Sequence, residues 1–590
     1  MSATLHTKCR DGGFILRLII VTIVGMLLLT VPAAQAFRVK TKVPGLKIFW
    51  DNTVKYSAGY RVEGQSDTLT DTSQNTYNGN QDDGDRNFDT GFISNRFDLF
   101  SELDVIYKGW GVRVSGAAWY DFVYNTGNDN DSPGTANAFS VSHDEFTNDT
   151  QDLHGKDAEI LDAFAFGRVD MGNNGISFRA GQFAQQWGES LFFGNNGIAG
   201  SMAPIDVVKL LSVPNTQFKE LIRPVPQIGA QLQIGSKLSI GAYYQVAWEE
   251  TRLPASGSYF SNGDILDDGG ERLILGGPIM DISNPGPPVF GTGQEAWFRG
   301  NDLEASDSGQ GGVQVLVRPI DNLDLGFYAI RYHDKSPQLY ARMYKVPGAP
   351  LGSPAPVFNP NKINFDSGKS GEYFLVYPEN IDAYGISATS TFGDWNIATE
   401  ISYRHNTPLV SQLHAFPDIP GVPEFDNDNN PGYAVGDSVH AQVNWLAAFG
   451  PTFISKESSF LGEVAWHTRT SISENSDYLE PNTTKDAWGF RMVYEPMYRQ
   501  VLSGLDLSVP LGFAYFPKGT SSVISNFGPD KGGDMSIGLK ATYLDTWRCQ
   551  ISYTHFYGTE QGFNDENGYQ SLEQSLGDRD FISFSISRTF

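Results

Sequence analysis

Cysteine is almost missing from this chain. Of its 590 residues only Cys9 and Cys549 are cysteines, and Cys9 sits in a stretch expected to be cut away, so no disulfide framework and no thiolate metal cluster can form within the mature chain. Basic residues are also scarce. Against 68 Asp and Glu stand 42 Lys and Arg, a formal net charge of −26, which argues against nucleic acid as a partner. Beyond Val31 no run is long and apolar enough for a spanning helix. No Pro/Ser linker or break in composition divides the chain, which favours one closed unit over several soluble domains. A Gly-x-Ser-x-Gly elbow is missing and the nine histidines are scattered, so a serine hydrolase has no visible machinery.

What the amino terminus does contain is an export signal. Lys8, Arg10 and Arg17 precede the apolar run Leu18 to Val31, and Ala34-Gln35-Ala36 offers small residues for cleavage before Phe37. The apolar run is too short for an anchor before Pro32 ends it. Removing residues 1–36 takes away three Lys/Arg and Asp11, leaving −28 on the mature chain. The remainder is rich in Gly (63), Phe (39), Tyr (26) and Trp (11), and in the Asn and Asp that favour turns. Acidic runs at Gln81-Asp82-Asp83-Gly84-Asp85, Asn128-Asp129-Asn130-Asp131 and Asp426-Asn427-Asp428-Asn429-Asn430 have oxygen ligands suited to calcium. None carries the Gly and distal Glu of an EF-hand loop, so they are read as solvated loop tips, and no metal site or cofactor is expected.

The last twelve residues set the architecture. Ile582, Phe584, Ile586 and Phe590 share one parity while Ser583, Ser585 and Ser587 share the other, and a strand sends successive side chains to opposite faces. The same alternation recurs from Val54 to Val62, in Phe92 to Tyr107 with Val112 to Tyr124, and in Ile160 to Asp170 with Ile176 to Gln182. It continues in Gln227 to Ile234 with Leu238 to Trp248, Gly312 to Arg318 with Leu323 to Tyr332, and Asp382 to Phe392 with Trp395 to Arg404. Then follow His440 to Phe449 with Phe460 to His467, Ala487 to Glu495 with Leu505 to Tyr515, and Met535 to Leu544 with Trp547 to Tyr557. With the closing strand these make eighteen. Tight turns alternate with long polar connections, the pattern of a transmembrane β-barrel with short periplasmic turns and long outer loops. The expected fold is therefore all-β: a single antiparallel barrel over 53–590, preceded by a short periplasmic segment, 37–52.

The two faces of these strands differ in chemistry. Trp488/Phe490/Met492/Tyr494, Trp395/Ile397/Ile401/Tyr403 and Phe460/Val464/Trp466 are expected to meet lipid. On the opposite parity lie Glu102, Asp104, Arg113, Glu400, Arg404, Glu463, His467, Arg491 and Glu495, which a wet lumen would hydrate. A barrel this wide is not filled by its wall side chains, so it is either an aqueous channel or is obstructed by inward loops. The connections 183–226, 249–311 and 333–379 are long enough to obstruct it. The first carries Trp187, Phe192, Phe193, Ile198, Ile205, Val207, Leu210 and Leu211, too apolar to sit in water, and is expected inside as a plug or constriction. Gln182 at its edge, with Trp187, Glu189, Ser190, Asp206, Lys219, Glu220 and Arg223, are the candidate residues for gripping a solute, because they join an aromatic surface to both signs of charge.

Several runs resemble a known family. Arg179-Ala180-Gly181-Gln182, Trp187-Gly188-Glu189-Ser190, Pro204-Ile205-Asp206 and Lys219-Glu220 with Arg223-Pro224-Val225-Pro226 occur in order along one connection. Asn95 to Glu102, Tyr332 to Pro337, Tyr377 to Ile381 and Asp578 to Phe581 add to them. Together they are similar to the proteobacterial family called domain of unknown function 1302, over nearly the whole mature chain. The resemblance implies a porin-like barrel of unsettled role in the outer membrane of a Gram-negative bacterium, in contact with its lipid and lipopolysaccharide. It also implies company: a periplasmic lipid-carrier-like protein and an RND-type transporter, hence traffic of hydrophobic molecules. No catalytic residue comes with it.

Three functions follow from these readings. The first is a channel for a small, amphipathic or hydrophobic solute. The second is a non-conducting receptor or adhesion barrel, and the third an outer-membrane lipid hydrolase using Ser190 or another serine. The chain is expected not to be an enzyme, because nucleophilic catalysis needs a base held within hydrogen-bond reach.

Overall fold

The period-two pattern folds into eighteen antiparallel strands. A computed structural model describes residues 37–39, 41–216 and 218–590, and the expected signal peptide, residues 1–36, lies outside them. The strands are β1 (Leu46–Arg61), β2 (Phe92–Tyr107), β3 (Trp110–Asp121), β4 (Lys156–Met171), β5 (Asn174–Phe183), β6 (Val225–Ile234) and β7 (Leu238–Gln245). They continue with β8 (Gly311–Ile320), β9 (Leu323–Tyr332), β10 (Ile381–Phe392), β11 (Trp395–Pro408), β12 (Val435–Phe449) and β13 (Glu457–Glu474). The last are β14 (Asp486–Leu502), β15 in two pieces (Leu505–Ser508 and Leu511–Lys518), β16 (Gly532–Tyr543), β17 (Trp547–Tyr557) and β18 (Phe581–Thr589). Each pairs with its sequence neighbours, and β18 pairs with β1 from Thr53↔Thr589 to Arg61↔Phe581. Asn52 and Phe590 extend that seam by exchanging backbone hydrogen bonds of 2.8 Å.

Local chemistry explains the hairpins. At the β2–β3 turn both Lys108 and Gly109 have positive φ, 51° and 87°, the geometry whose twist matches flanking strands. β15 breaks at Pro510, which has no N–H to give to the ladder; Val509 and Gly538 still find backbone acceptors there. No helix among the described residues is long and apolar enough to cross a membrane.

Parity settles the faces. Trp488, Ile397, Ile401, Tyr403 and Trp466 are all exposed on the outside, as are Ile537 on β16 and Ile551 on β17. Lys55, Ser57, Asp98 and Arg96 lie opposite Val54, Tyr56, Phe97 and Leu99 on β1 and β2 and face inward.

Several expectations change. β1 begins at Leu46, not near Val54, and Phe37–Val39 pairs with Ile48–Trp50, so much of 37–52 belongs to the sheet. Arg579 precedes the closing strand. The connections 249–311 and 333–379 are not structureless: Arg272–Asp281, Val289–Arg299, Gln338–Met343 and Lys369–Val376 join His414–Pro417 in a second, five-stranded sheet. The run 81–85 is not a solvated tip, because Gln81, Asp82, Asp83 and Asp85 are all buried. In the other two acidic runs Asn130 and Asn427 are buried while Asp129, Asp131, Asp428, Asn429 and Asn430 are exposed. Cys549 is free and sits on the outward parity of β17.

The faces can be tested by placing one charge on each. Ile551→Arg, lipid-facing at mid-strand, is expected to cost roughly 2–4 kcal/mol in guanidinium unfolding from lipid vesicles, while Gln550→Arg beside it costs less than about 1 kcal/mol. Equal losses would mean that the two faces do not differ in their contact with lipid, and a reversed order that they have been exchanged.

Candidate functional site

The connection between β5 and β6, residues 184–224, enters the barrel and crosses it. Its first half lies on β11, β12 and β13. There Glu400 of β11 accepts hydrogen bonds from the backbone N–H groups of Glu189 (2.8 Å) and Ile198 (2.6 Å). Glu463 of β13, fully buried, accepts from Leu191, Phe192 and Phe193, the last at 2.7 Å. Arg404 donates to the carbonyls of Asn195 (2.6 Å) and Gly197 (2.9 Å). The Asn196 amide is buried among His440, His467 and Gln442, with His467 Nδ1 3.1 Å from its Oδ1 and Ser521 Oγ 2.6 Å from His467 Nε2.

Such contacts follow from a general requirement: a backbone taken out of water must have its N–H and C=O groups paired. This segment has no sheet partner, so wall side chains do the pairing. Two glycines permit the close approach. A Cβ on Gly188, at φ +92°, would stand 2.4 Å from Glu400 Oε2, and one on Gly197 would stand 2.1 Å from Ser190 Oγ. Trp187, Ile198 and Met202 then pack with Tyr243, Tyr328, Ile330, Tyr332, Ile381 and Ala383 in a buried apolar cluster along β7, β9 and β10.

The second half lies on the opposite wall. Asp206 caps the helix Val207–Ser212 by accepting from Lys209 N at 2.8 Å. Its carboxylate pairs with Arg252 at 2.8 Å, while Glu159 of β4 pairs with Lys209 (2.7 Å) and Arg252 (2.8 Å). The cations of Lys209 and Arg252 lie 5.3 and 5.9 Å from the ring of Trp119 on β3. From β12, where Asn196 rests, to β3 is nine strands of eighteen, so the loop spans the barrel's width.

The expected gripping residues divide accordingly. Trp187, Asp206 and Arg223 are anchors: Trp187 is packed against Tyr243 and Tyr328, and Arg223 donates to the Glu250 carbonyl at 2.7 Å. Ser190 accepts from Gln442 at 2.6 Å and has no histidine bonded to it. The Glu189 carbonyl accepts from Asn444. Gln182 shares the outward parity of Ile176 and Phe178 and donates to the Ile160 carbonyl at 3.2 Å, so it stands outside the constriction. Glu220 alone of the set lines an open space, shared with Lys55, Asp98, Thr216 and Arg548. The Lys219 side chain lies outside the described residues.

The expected lumen charges also fall into two groups. Glu400, Arg404, Glu463 and His467 face inward as read from parity, but they hold the loop and do not meet water. Along β14 to β17 and on β2 and β3 several inward charges stay partly exposed, although Lys55, Arg61 and Arg96 are buried. Arg491 pairs with Asp534, Glu495 accepts from Ser508 and has Lys540 at 3.4 Å, and Arg113 bridges Asp104 at 2.7 Å and Glu102 at 3.6 Å. Side chains of Arg491 and Lys540 keep 38 % and 36 % of their surface exposed, although they point inward. Sequence reasoning missed Asn196, Gln442 and Asn444 as anchors and Lys55 and Arg548 as cations lining the space beside Glu220. Their parity was visible, but their partners were not.

Residues 17–590 match the model of the family described as "Protein of unknown function (DUF1302)". The chain belongs to this family. No curated protein matches it. Among solved structures it is similar to Acinetobacter baumannii OccAB3 (8 % identity, 92 % of this chain and 99 % of that one, TM-score 0.41). It is also similar to a BenF-like porin from Pseudomonas fluorescens Pf-5 (7 %, 93 % and 100 %, TM-score 0.41) and to Pseudomonas aeruginosa OpdK with vanillate (8 %, 92 % and 98 %, TM-score 0.39). The DUF1302 barrel itself rests on the strand pairing described above. Two of the runs that carried the family resemblance contact one another in it: Asn380 N donates to His333 Nδ1 at 3.0 Å, and Asp334 N to the Pro378 carbonyl at 2.8 Å.

Removing the buried acceptor tests the anchoring. Glu463→Ala orphans three N–H groups at about 1–3 kcal/mol each, so amide exchange across residues 190–198 is expected to accelerate by at least about tenfold (1.4 kcal/mol) while β-sheet content holds. Unchanged exchange there would mean that Glu463 does not hold the loop.

Proposed function

We propose that this DUF1302 protein is an outer-membrane channel for a small polar or amphipathic solute, narrowed by the loop 184–224. The outer-membrane setting is supported by a closed sheet with an apolar exterior and by the expected export signal. A spanning sheet must close, because hydrocarbon offers no partner for an unpaired edge.

One observation carries the reading: the loop crosses the lumen from β13 to β3 and β4 and leaves a polar stretch of wall centred on β14 to β17. Against β7 to β13 it is packed with apolar rings and buried hydrogen bonds. Along β14, β16 and β17 the wall presents Arg491, Lys540 and Arg548 with Asp534 and Glu495, and where β1 and β2 meet the loop's second half it presents Lys55, Asp98 and Glu102. Facing charges of both signs can strip part of a solute's hydration and return it, which is how a pore selects without trapping. Lys55 sits where this wall meets the loop, buried, with its ammonium donating to Thr216 Oγ1 at 3.5 Å. A lipid or sterol cargo would want a continuous apolar track, and this arc has none among the residues named. The periplasmic carrier and RND-type transporter remain partners proposed from the family resemblance alone.

Planar-bilayer recording tests the channel. Wild-type protein is expected to conduct, shortening residues 213–220 to raise conductance severalfold, and Lys55→Glu with Arg548→Glu to shift the reversal potential towards cation selectivity. A silent barrel would favour a receptor, and an unmoved reversal potential would exclude this arc as the path.

A further inference from the structure

Outside the membrane-spanning wall, three carboxylates meet in the outer connections. Asp82 and Asp83 come from residues 62–91 and Asp264 from residues 246–310, and one oxygen of each lies within 4.8 Å of the others. All three are buried, at 0 %, 7 % and 1 % exposure. Asp82 has a close counter-charge, Arg86 Nε at 2.5 Å. Among the described residues Asp83 and Asp264 have no cation within ion-pair distance; Arg272 and Arg579 act on them only from farther off. Arg579 Nη1 is already committed to the carbonyls of Tyr259 and Ser261, at 2.5 and 2.6 Å. Burying like charges without compensation is costly.

A neutral side chain from a third connection points to what compensates them. Asn137, 2 % exposed, donates its backbone N–H to Asp83 Oδ2 at 2.8 Å, and its Nδ2 to Asn80 Oδ1 and the Arg272 carbonyl, both at 2.8 Å. Among the described residues its carboxamide oxygen has no donor, and Asp82 Oδ1 and Asp264 Oδ1 are likewise without one. Asn137, Asp83 and Asp264 line one cavity together with Asn128 and Thr147. Buried oxygens are expected to be satisfied. Here a carboxamide and two carboxylates are left wanting a positive partner in the same small space.

We propose that Asp82, Asp83, Asp264 and Asn137 form a site for one hard divalent cation of the calcium type, tying three outer connections together. The donor set is oxygen only, which suits calcium; zinc would call for nitrogen or sulfur ligands. Magnesium needs near-ideal octahedral geometry and sheds water reluctantly, whereas calcium accepts irregular shells of six to eight oxygens. The carboxamide and the cavity supply neutral oxygens to complete such a shell. This site is independent of the channel reading.

The test uses the full-length mature barrel in detergent, stripped with a chelator and titrated calorimetrically with calcium chloride or magnesium chloride. One calcium per chain is expected, bound at least about tenfold more tightly than magnesium. Asp264→Asn should weaken it about tenfold or more and Asn137→Ala severalfold, while Asp428→Asn, in an exposed acidic run, should leave it unchanged. Folding of each variant is checked by heat-modifiable gel migration, and Asn137→Ala, which removes no charge, decides the matter if Asp264→Asn fails to fold. Calcium should also protect residues 122–155 from limited proteolysis in wild type and not in Asn137→Ala. Absence of stoichiometric binding, or binding equally tight in Asn137→Ala, overturns the proposal.

Discussion

Eighteen strands in hydrocarbon can have no free edge, and the seam between β1 and β18 is where that demand is met. An unpaired row of N–H and C=O groups facing lipid would cost several kcal/mol per group; the nine register pairs from Thr53↔Thr589 to Arg61↔Phe581 remove it. Closure then has a second effect. The strand count sets the bore, and at eighteen the wall's own side chains no longer meet in the middle. The loop 184–224 is the answer to that width, and the rest of the interior is arranged around how it is held.

It is held mainly through its backbone. A segment crossing a lumen without a sheet partner exposes a donor and an acceptor at every residue, and the wall supplies the complement: Glu400 and Glu463 for N–H groups, Arg404 and Asn444 for carbonyls. Long charged side chains suit this work because they reach from the wall and form stronger hydrogen bonds than neutral ones. The same logic shapes the outer connections. Arg61, fully buried, gathers Asp85 at 2.6 Å, Asp578 at 3.0 Å and the Phe88 carbonyl at 2.7 Å, so an acidic run that looks made for water is folded inward instead.

What was legible in the sequence follows from this division. Period-two alternation is a property of each strand by itself, so all eighteen strands could be read, with most ends off by a few residues, by seven at Glu474 and Leu502 and by eight at Leu46. The five-stranded outer sheet could not, because strands such as Gln338–Met343 and His414–Pro417 are short, carry little alternation and pair in parallel across long separations. Parity places Glu400, Glu463 and His467 on the inward face. Whether such a charge meets water or a loop is decided by contacts more than two hundred residues away, such as Glu463 with Phe193. That is why wet Arg491 and buried Glu463 looked alike. Trp187 misled for a related reason: an aromatic beside charges fits a binding surface and a packed anchor equally well until Tyr243 and Tyr328 are seen around it.

The two ways of using charge give the two arcs of the lumen different responses to the medium. Facing ion pairs on the open arc, such as Arg491 with Asp534, are partly exposed, and salt weakens their fields over a screening length of about 8 Å at physiological strength. The loop's hold on β11 to β13 is made by buried groups against backbone donors and acceptors, which mobile ions do not reach. Salt therefore acts on the path and leaves its border standing. On the channel reading such a barrel keeps a constant bore while the affinity of its lining for a charged solute varies, because on β11 and β13 the wall's buried carboxylates bind the loop's main chain and not its cations.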